Sequence, residues 1–533
     1  MCYEFAGMTF AVDIDAPSGL ELDSERTLCM LMSRRTSHRL LAIIIGLYVF
    51  LGTLYAVETP KWQVPDEPAH FNFVRYVADE DELPVLGWGD YPHQYLEEIK
   101  AAGFPPEMSI DPIRYESWQP PLYYALASQL KRSISDLPFD TQFLVLRLFS
   151  VILGAAELWV VFRIVQGVFP NEPFLAVAAT AFAATIPMHV AMTSGIGNDA
   201  LAVLILSLIL WISVRIAQEG TDLRHGASVG ILLGLALLTK TTIYVAAAVV
   251  AAAVWVHEGH RKGGLSQRAS RSFRSLLGIG ALAMLYGVPW FLRNVQVYGW
   301  PDFLAWQRHS MVVAEQLRTA DLVKQVGSVG LLRSFALTTF RSFWGQFGWM
   351  GVLLDARIYR ALALWSALLA AGFGLFLIRM WQSRSAPESA RKSRLTAPQE
   401  RALGVLALAG VLTVLLYLAY NAEFVQHQGR YLFTALVPVS LGAALGLREL
   451  TRPRTARVLA VALLLVMLPV LAYGTLRRDL AGWNLVTLAA AAAVFVGAGW
   501  LPDRWRCAVP SALYVAFLAL DCVSLYWYIV PAL

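Results

Sequence analysis

Charged side chains are scarce in this 533-residue sequence. Only 15% of the residues are charged and 57% are hydrophobic, whereas a soluble domain averages about 25% charged and roughly 45–50% apolar residues. Too few charges are present to cover a water-soluble fold of this length. Apolar runs long enough to cross a hydrocarbon core, which takes roughly 17–25 residues, recur from Arg39 to the C-terminus. The sequence therefore predicts an all-α polytopic membrane protein.

Cysteine, lysine and several well-known motifs are also rare or absent. The topology predicted below places three of the four cysteines in the cytoplasm and one in a span, so we expect no structural disulfide; they are Cys2, Cys29, Cys507 and Cys522. With 7 Lys against 36 Arg, a lysine inside an apolar run is informative. The sequence contains no P-loop, no metal-ligand spacing among its nine His, no Ser/His/Asp pattern and no basic groove for nucleic acid.

The distribution of charge predicts the orientation in the membrane. Residues 1–33 are polar, hold six acids and contain no signal-peptide core, so we predict a disordered or wrongly assigned leader. Basic residues precede the first apolar run, which indicates a cytoplasmic N-terminus because cytoplasmic loops concentrate Lys and Arg. The loop 58–140 holds fifteen acids and six Lys or Arg, so it is predicted to be a large first external loop.

About thirteen transmembrane helices are predicted, with the C-terminus external. They are 40–57, 142–165, 172–190, 199–217, two short helices within 226–257, 275–297, 361–380, 402–420, 431–448, 457–475, 481–500 and 508–530. A second external segment is expected at 298–360, and cytoplasmic loops at 258–274 and 381–401. Two stretches of the first loop, 68–82 and 120–132, have helical spacing but are too short and too charged to span, so we expect interfacial helices.

The run 226–257 is apolar except for a polar centre, Thr239-Lys240-Thr241-Thr242. Both of its ends have cytoplasmic charge, so a single spanning helix is excluded. We predict two short helices that meet at Lys240 near the outer side. Backbone at such a break is tolerated only inside protein or against a wet cavity.

Two neighbouring carboxylates, Asp66 and Glu67, lie where the chain leaves the first span. A carboxylate held at the membrane edge can take a proton from an acceptor hydroxyl, which is the work of a general base. Asp66 also precedes Pro68 at a helix start, so helix capping is an alternative that does not exclude the first.

Three cations are predicted at the outer ends of spans, where they suit a lipid-linked phosphate: Lys240, Arg293 and Arg430. The alternative for each is snorkelling of the side chain to the interface. Weaker signals remain open. Asn198-Asp199 suits a helix cap, the aromatic stretch 343–349 suits an aromatic belt or a loop over a sugar site, and Glu157 suits a hydrogen bond between helices.

Several motifs occur in an order along the chain that is typical of one enzyme superfamily. They are Pro65-Asp66-Glu67-Pro68-Ala69-His70, Trp118-Gln119-Pro120-Pro121-Leu122-Tyr123-Tyr124, Leu238-Thr239-Lys240, Asn294 with Tyr298-Gly299, and Gln428-Gly429-Arg430-Tyr431-Leu432-Phe433. From about residue 40 to 450 the chain resembles the GT-C superfamily of polyprenyl-phosphate-dependent glycosyltransferases. The branch it resembles contains protein O-mannosyltransferases and the lipid A aminoarabinose transferase, in particular bacterial members.

The resemblance implies roles for individual residues. Asp66 matches the family's catalytic base, with Glu67 as the other member of the acidic pair. The implied substrate-binding residues are His70, Gln119, Tyr123, Lys240, Arg293, Trp344, Gln346, Gln428, Arg430 and Tyr431. Residues 34–450 then form a GT-C-like catalytic module, and 451–533 add C-terminal spans but no soluble domain.

The implied activity is an inverting transfer of a sugar from a polyprenyl phosphate to a glycan, lipid or protein acceptor. It would occur on the outer face of a bacterial inner membrane, with membrane lipids and no nucleic acid as further partners. No cofactor is required, although Asp66 and Glu67 could bind a divalent metal. A transporter or flippase of lipid-linked sugars is the main alternative, and a non-catalytic assembly subunit is the second. The sugar, the acceptor and the isoprenoid length stay open.

Overall fold

The computed structural model describes residues 2–5, 8–11, 32–385, 395–477, 482–502, 506 and 508–533. In the leader, strand β1 (Cys2–Phe5) pairs antiparallel with β2 (Met8–Ala11). Most of the predicted disordered leader, and part of the predicted cytoplasmic loop 381–401, lie outside the described residues. Among the described residues of the predicted site, all lie in helices or in loops between helices except Gln346, which lies in a short strand.

The helices follow the predicted order along the chain. They are α1 (Arg34–Glu58), α2 (Glu67–Glu80), α3 (His93–Ala101), α4 (Leu122–Ser133), α5 (Phe139–Val168), α6 (Pro173–Ala184), α7 (Pro187–Thr193), α8 (Asp199–Glu219), α9 (Leu223–Leu237), α10 (Ala246–Glu258), α11 (Leu265–Tyr298), α12 (Trp306–Val312), α13 (Thr319–Trp344), α14 (Ala356–Ser385), α15 (Ala397–Glu423), α16 (Leu436–Leu450), α17 (Pro453–Arg477), α18 (Gly482–Trp500) and α19 (Ala508–Val523). Short 3₁₀ segments cover Thr241–Ile243 and Gly429–Ala435, a π segment covers Ser524–Ile529 before a last turn at Val530–Ala532, and β3 (Gln346–Phe347) pairs antiparallel with β4 (Val352–Leu353).

Within the described residues, eleven helices are long and apolar enough to cross a membrane, or up to twelve if α6 and α7 form one bent span. The protein is therefore a multi-pass helical membrane protein, as predicted. The expected count of about thirteen is not confirmed. It included α9, which has only 15 residues and is shorter than the roughly 17–25 that a span needs. The orientation of the two termini remains a prediction.

The segment predicted as a span at 172–190 is bent, because α6 and α7 meet at an angle of 67°. The residue before Pro187, Ile186, has an extended backbone (φ −91°, ψ 110°). A proline disfavours the helical conformation in the residue that precedes it, so the helix ends there. The bend brings α7 against α1, α5 and α13. His189 of α7 also forms the predicted hydrogen bond between helices, because its Nε2 lies 3.2 Å from Oε2 of Glu157 on α5.

The predicted break at Lys240 is confirmed. Helix α9 ends at Leu237, Lys240 has an extended backbone (φ −162°, ψ 135°), and α10 begins at Ala246. The two helices predicted in the first loop correspond to α2 and α4, which pack against each other, and α4 also packs on α5. Helix α3 was not predicted. The first loop is thus an ordered helical layer that rests on the ends of the spans.

Candidate active site

Asp66 lies in the turn between α1 and α2, in the left-handed backbone region (φ +67°) that non-glycine residues rarely adopt. Such strain persists only where the surroundings impose it, and it is frequent at functional sites. Asp66 occupies the N-cap position of α2, as the capping alternative predicted, but its side chain makes no cap hydrogen bond. Instead Oδ1 accepts a hydrogen bond from the Tyr115 hydroxyl at 2.8 Å. Oδ2 accepts one from Nη2 of Arg430 at 2.7 Å.

The charge on Asp66 follows from these neighbours. Burial raises the pKa of its carboxyl, but the Arg430 guanidinium, the nearby His70 and the hydrogen bonds from Arg430 and Tyr115 outweigh it and lower the pKa to about 2. The carboxylate is therefore ionised at neutral pH. While it is paired with Arg430 it holds a proton only weakly.

Glu67, the next residue, has entirely different surroundings. It is fully buried and accepts two hydrogen bonds from Arg147, at 2.8 and 2.7 Å. The backbone N–H groups of Trp62 and Ile196 donate to the same two oxygens at 3.0 and 3.1 Å. Because both oxygens are occupied, Asp66 and Glu67 do not form a shared pair. Among the described residues, no group of three His, Cys, Asp or Glu side chains is placed to hold a metal ion.

Arg430 is buried, with 6% of the residue exposed, in the 3₁₀ segment that precedes α16. Its Nε donates to Oε1 of Gln428 at 2.6 Å, and its guanidinium lies 5.3 Å from the centre of the Tyr431 ring. Nη1 contacts the Met192 sulfur at 3.7 Å. Three residues of the predicted Gln-Gly-Arg-Tyr motif thus share one place beside Asp66.

Lys240, at the helix break, donates to Oδ1 of Asp199 at 2.6 Å. Asp199 begins α8, and its predicted role as part of a helix cap is wrong, because the cap residue Asn198 makes no side-chain cap bond and Asp199 pairs with the lysine. Lys240 does not snorkel freely. The ion pair with Asp199, which lies 41 positions away in the sequence, holds the Lys240 side chain in place. A local sequence pattern cannot predict such a pair.

Both ion pairs, Asp66–Arg430 and Asp199–Lys240, influence the charge of His70. Burial and the Lys240 ammonium lower its pKa to about 4, against the raising effect of Asp66 and Asp199, so the imidazole is neutral at pH 7. Its Nδ1 lies 2.8 Å from the Tyr124 hydroxyl.

The loop between α7 and α8, residues 194–198, contacts several predicted site residues and the turn that carries Asp66. It passes so close to the Asp66 turn that a Cβ on Gly195 would lie 2.5 Å from Cγ1 of Val64. The N–H of Gly197 donates to the Tyr123 hydroxyl at 3.1 Å. Nδ2 of Asn198 lies 3.4 Å from Oε1 of Gln119. Tyr123 and Gln119 therefore lie in the wall behind the ion pairs.

Glu116 was not singled out from the sequence, although it stands between Tyr115 and the Trp118 motif. Burial and the Asp66 carboxylate raise its pKa to about 7, and Lys240 opposes this. Its Oε2 is buried and has no hydrogen-bond partner within the described part of the chain. Besides Asp66 and Asp199, the site thus contains a carboxyl group, that of Glu116, whose pKa is raised to about 7.

Three predicted residues contact other parts of the protein. Nη2 of Arg293 donates to the carbonyl oxygens of Pro84 and Leu83, at 2.6 and 3.2 Å, and anchors the first loop to the end of α11. Trp344 is 3% exposed and packs against Phe182 and Phe517. Nε2 of Gln346 donates to the Met350 carbonyl at 2.8 Å. Their substrate-binding roles remain predictions.

Comparison with solved structures gives low identities over most of the chain. ArnT from Cupriavidus metallidurans bound to undecaprenyl phosphate is 15% identical, with a TM-score of 0.48, over 91% of this chain and 77% of that one. The oligosaccharyltransferase AglB from Archaeoglobus fulgidus, in complex with an inhibitory peptide and a dolichol-phosphate, is 13% identical, with a TM-score of 0.43. This match covers 92% of the chain and 56% of AglB. No curated protein matches the chain.

The sequence also matches a family model. Residues 120–289, less than half of the chain, match the dolichyl-phosphate-mannose-protein mannosyltransferase family. This segment contains α4 to α10 and most of α11, and therefore Tyr123, Asp199 and Lys240. The predicted resemblance of the chain to protein O-mannosyltransferases is thus confirmed over residues 120–289.

Proposed function

We propose that the protein is an inverting glycosyltransferase that moves a sugar from a polyprenyl phosphate to the hydroxyl of a glycan, lipid or protein acceptor. The observation that carries the proposal is the contact of 2.7 Å between Asp66 and the buried guanidinium of Arg430. The second cation, Lys240, acts electrostatically on the same His70 as Asp66 and Arg430 do. The reaction needs a proton acceptor beside cations that can neutralise a leaving phosphate. The donor class agrees with the name of the family matched by residues 120–289.

In the proposed reaction, Asp66 takes the proton of the acceptor hydroxyl as its oxygen attacks the anomeric carbon. The bond between this carbon and the phosphate oxygen breaks, and the electron pair leaves with the phosphate. Attack from the face opposite the phosphate inverts the configuration. Arg430 and Lys240 stabilise the charge that gathers on the phosphate, which is often the largest contribution to catalysis of this type. Arg293 remains a candidate third ligand.

We place the site on the outer face of a bacterial inner membrane. The support is the charge of the sequence, since the loop that carries Asp66 is acidic and the predicted cytoplasmic loops are basic.

A transporter or flippase of lipid-linked sugars is the second candidate, and one observation favours it. Transporters bind substrate on discontinuous helices, and both the break at Lys240 and the bend before Pro187 lie beside the site. Vesicles that contain only the protein and a labelled lipid-linked sugar would distinguish the two. Movement of the label between leaflets without acceptor supports transport.

The test of the enzyme uses purified protein in lipid, a polyprenyl-phosphate sugar and three acceptors: a Ser/Thr peptide, a glycolipid and a free glycan. Asp66→Asn should lower the rate of transfer by about 10²–10⁴-fold, the usual contribution of a general base. Some loss of stability is expected, because the substitution leaves Arg430, whose side chain is 5% exposed, without its carboxylate. Transfer is therefore compared at a temperature at which the variant is fully folded.

The matched control is Asp79→Asn, which removes one charge from an exposed pair in the same loop. Transfer by Asp66→Asn at the wild-type rate would remove Asp66 as the base. An assembly subunit would show no transfer by the wild type and no effect of the substitution.

A further inference from the structure

Both cations of the cluster are already paired with carboxylates. Arg430 lies 2.7 Å from Asp66, and Lys240 lies 2.6 Å from Asp199. The two cationic side chains are only 5% and 12% exposed. Cations with so little access to water need a close counter-ion, because an unpaired buried charge is strongly destabilising. An incoming phosphate therefore does not meet free cations.

We propose that the donor phosphate displaces Asp66 from Arg430 and Asp199 from Lys240, so that donor binding itself releases the carboxylate that acts as the base. This inference rests on the proposed function, which supplies the phosphate. The ion pairs would be the donor-free state of the site, in which the base is masked. The acceptor could then be deprotonated only when the sugar it attacks is present.

The charges of the reaction agree with such an exchange. The phosphate of a polyprenyl-phosphate sugar is a diester, with one negative charge and two non-bridging oxygens, and the site offers two cations. When Arg430 turns to this phosphate, Asp66 loses the neighbour that most lowers its pKa, while burial, which raises it, remains. As the sugar departs, the phosphate gains a second negative charge and Asp66 loses its own by accepting the proton. The total charge of the site is unchanged.

The remaining contacts hold both partners in place during the exchange. Tyr115 still donates to Oδ1 of Asp66, so the carboxylate keeps one anchor when Arg430 moves away. Gln428 still accepts from Nε of Arg430, so only the Nη2 contact has to change.

The experiment measures the binding of undecaprenyl phosphate, free of sugar, to the purified full chain in lipid nanodiscs. If Asp66 competes with the phosphate for Arg430, then Asp66→Asn should bind the lipid more tightly, by roughly tenfold or more, the size expected for one charged hydrogen bond. Asp199→Asn should also tighten binding, through Lys240. A carboxylate with only a structural role would not produce this gain.

Two controls isolate the competition from general electrostatics. Asp79→Asn removes a charge from the same loop, at a side chain that is 53% exposed and paired with Lys131, and should leave the affinity nearly unchanged. In the Arg430→Gln background, Asp66→Asn should give no further gain, because the cation for which Asp66 competes is gone.

Unchanged or weaker binding by Asp66→Asn, at a temperature at which the variant is fully folded, overturns the inference. If Asp66→Asn does not fold, the same readings on Asp199→Asn decide it. The assay contains no sugar, so its outcome is separate from that of transfer. If Asp66→Asn binds the lipid more tightly but the wild type transfers no sugar, the proposed enzymatic function is wrong and the displacement stands. If the wild type transfers sugar but Asp66→Asn binds the lipid as the wild type does, the function stands and the displacement is wrong.

Discussion

Asp66 and Glu67 are identical in charge and adjacent in sequence, but their partners give them different roles. Glu67 is completely buried and receives four hydrogen bonds, two of them from Arg147. A buried charge is tolerated only when it is paired and hydrogen-bonded in this way. The Asp66 side chain is 27% exposed and receives two hydrogen bonds. Only Asp66 can therefore reach a substrate without breaking the core.

We expect Glu67→Gln to damage the fold rather than the chemistry. It leaves the Arg147 guanidinium, 2% exposed, without a counter-ion, and breaking a buried pair in this way costs about 3–5 kcal/mol. The midpoint of thermal unfolding in detergent should fall clearly. It should fall further than that of Asp66→Asn, because Asp66 is 27% exposed and makes two hydrogen bonds where Glu67 is fully buried and makes four. The double variant Glu67→Gln, Arg147→Gln should recover part of the loss, because no unpaired charge remains.

A Glu67→Gln protein that unfolds at the wild-type temperature but transfers no sugar would contradict this assignment. It would make Glu67 the reactive acid.

The sequence predicted some of these residues and missed others for a physical reason. Asp66 and Arg430 are ionisable groups at the ends of apolar runs, and Lys240 interrupts one. The sequence alone therefore shows that each is costly to place at the membrane. The partners that define their roles come from distant segments. Asp66 meets Arg430 across 364 positions, and Glu67 meets Arg147 across 80. The local sequence carries no information on such pairs, so it could not separate the two compatible interpretations of Asp66, a general base and a helix cap.

At the scale of elements, breaks in helices shape the site more than the helices themselves. The gap between α9 and α10 presents Lys240, and the helix that follows the bend, α7, presents Met192. The loop 194–198 leads into Asp199 at the start of α8. Hydropathy detected the first break because a lysine interrupts the run. It missed the bend because residues 173–193 are apolar throughout apart from His189 and small hydroxyl residues, although Pro187 was a valid signal.

The close approach of the loop 194–198 to the Asp66 turn gives a prediction at this scale. A methyl group at Gly195 would lie 2.5 Å from Cγ1 of Val64, two residues before Asp66. Gly195→Ala should therefore push the Asp66 turn away and lower both the rate of transfer and the unfolding midpoint. Crowding in a packed interior typically costs about 1–3 kcal/mol.

Val64→Ala in the same chain should restore part of the loss, because it removes both Cγ atoms and leaves only Cβ of residue 64, 2.9 Å away. Gly46→Ala is the control, since nothing lies within 4 Å of a Cβ at that position in α1. Gly195→Ala with full activity and stability would show that the turn does not depend on this contact.

For the whole molecule, composition alone predicted the class. In lipid every backbone polar group must be satisfied within its own segment, so a long apolar run can span only as a helix, and the structure shows eleven such helices in the described residues. The exact number was less predictable, because α9 and the pair α6–α7 are short pieces whose insertion depends on neighbours. The orientation of the protein in the membrane is predicted from the distribution of charged residues among the loops, and the fold by itself does not test it.

The orientation predicts which side of the membrane reaches each loop. The first loop and the segment 298–360 should be external, and 258–274 and 381–401 cytoplasmic, because acids prevail in the first loop and Arg and Lys in the other two loops. Single cysteines would be introduced after replacing the four native ones by serine. Exposed positions suit this purpose: Trp88 and Glu315 on the predicted outer side, Lys262 and Ala397 on the inner side.

A membrane-impermeant maleimide applied to intact cells without an outer membrane should modify the cysteines at positions 88 and 315 only. A permeant maleimide should modify all four, which verifies that each position is reactive. The reverse pattern would place Asp66 on the cytoplasmic side and would remove the argument that transfer occurs on the outer face. The contacts among Asp66, Arg430, Lys240 and Asp199 would be unaffected, because the geometry of the site does not depend on the side that it faces.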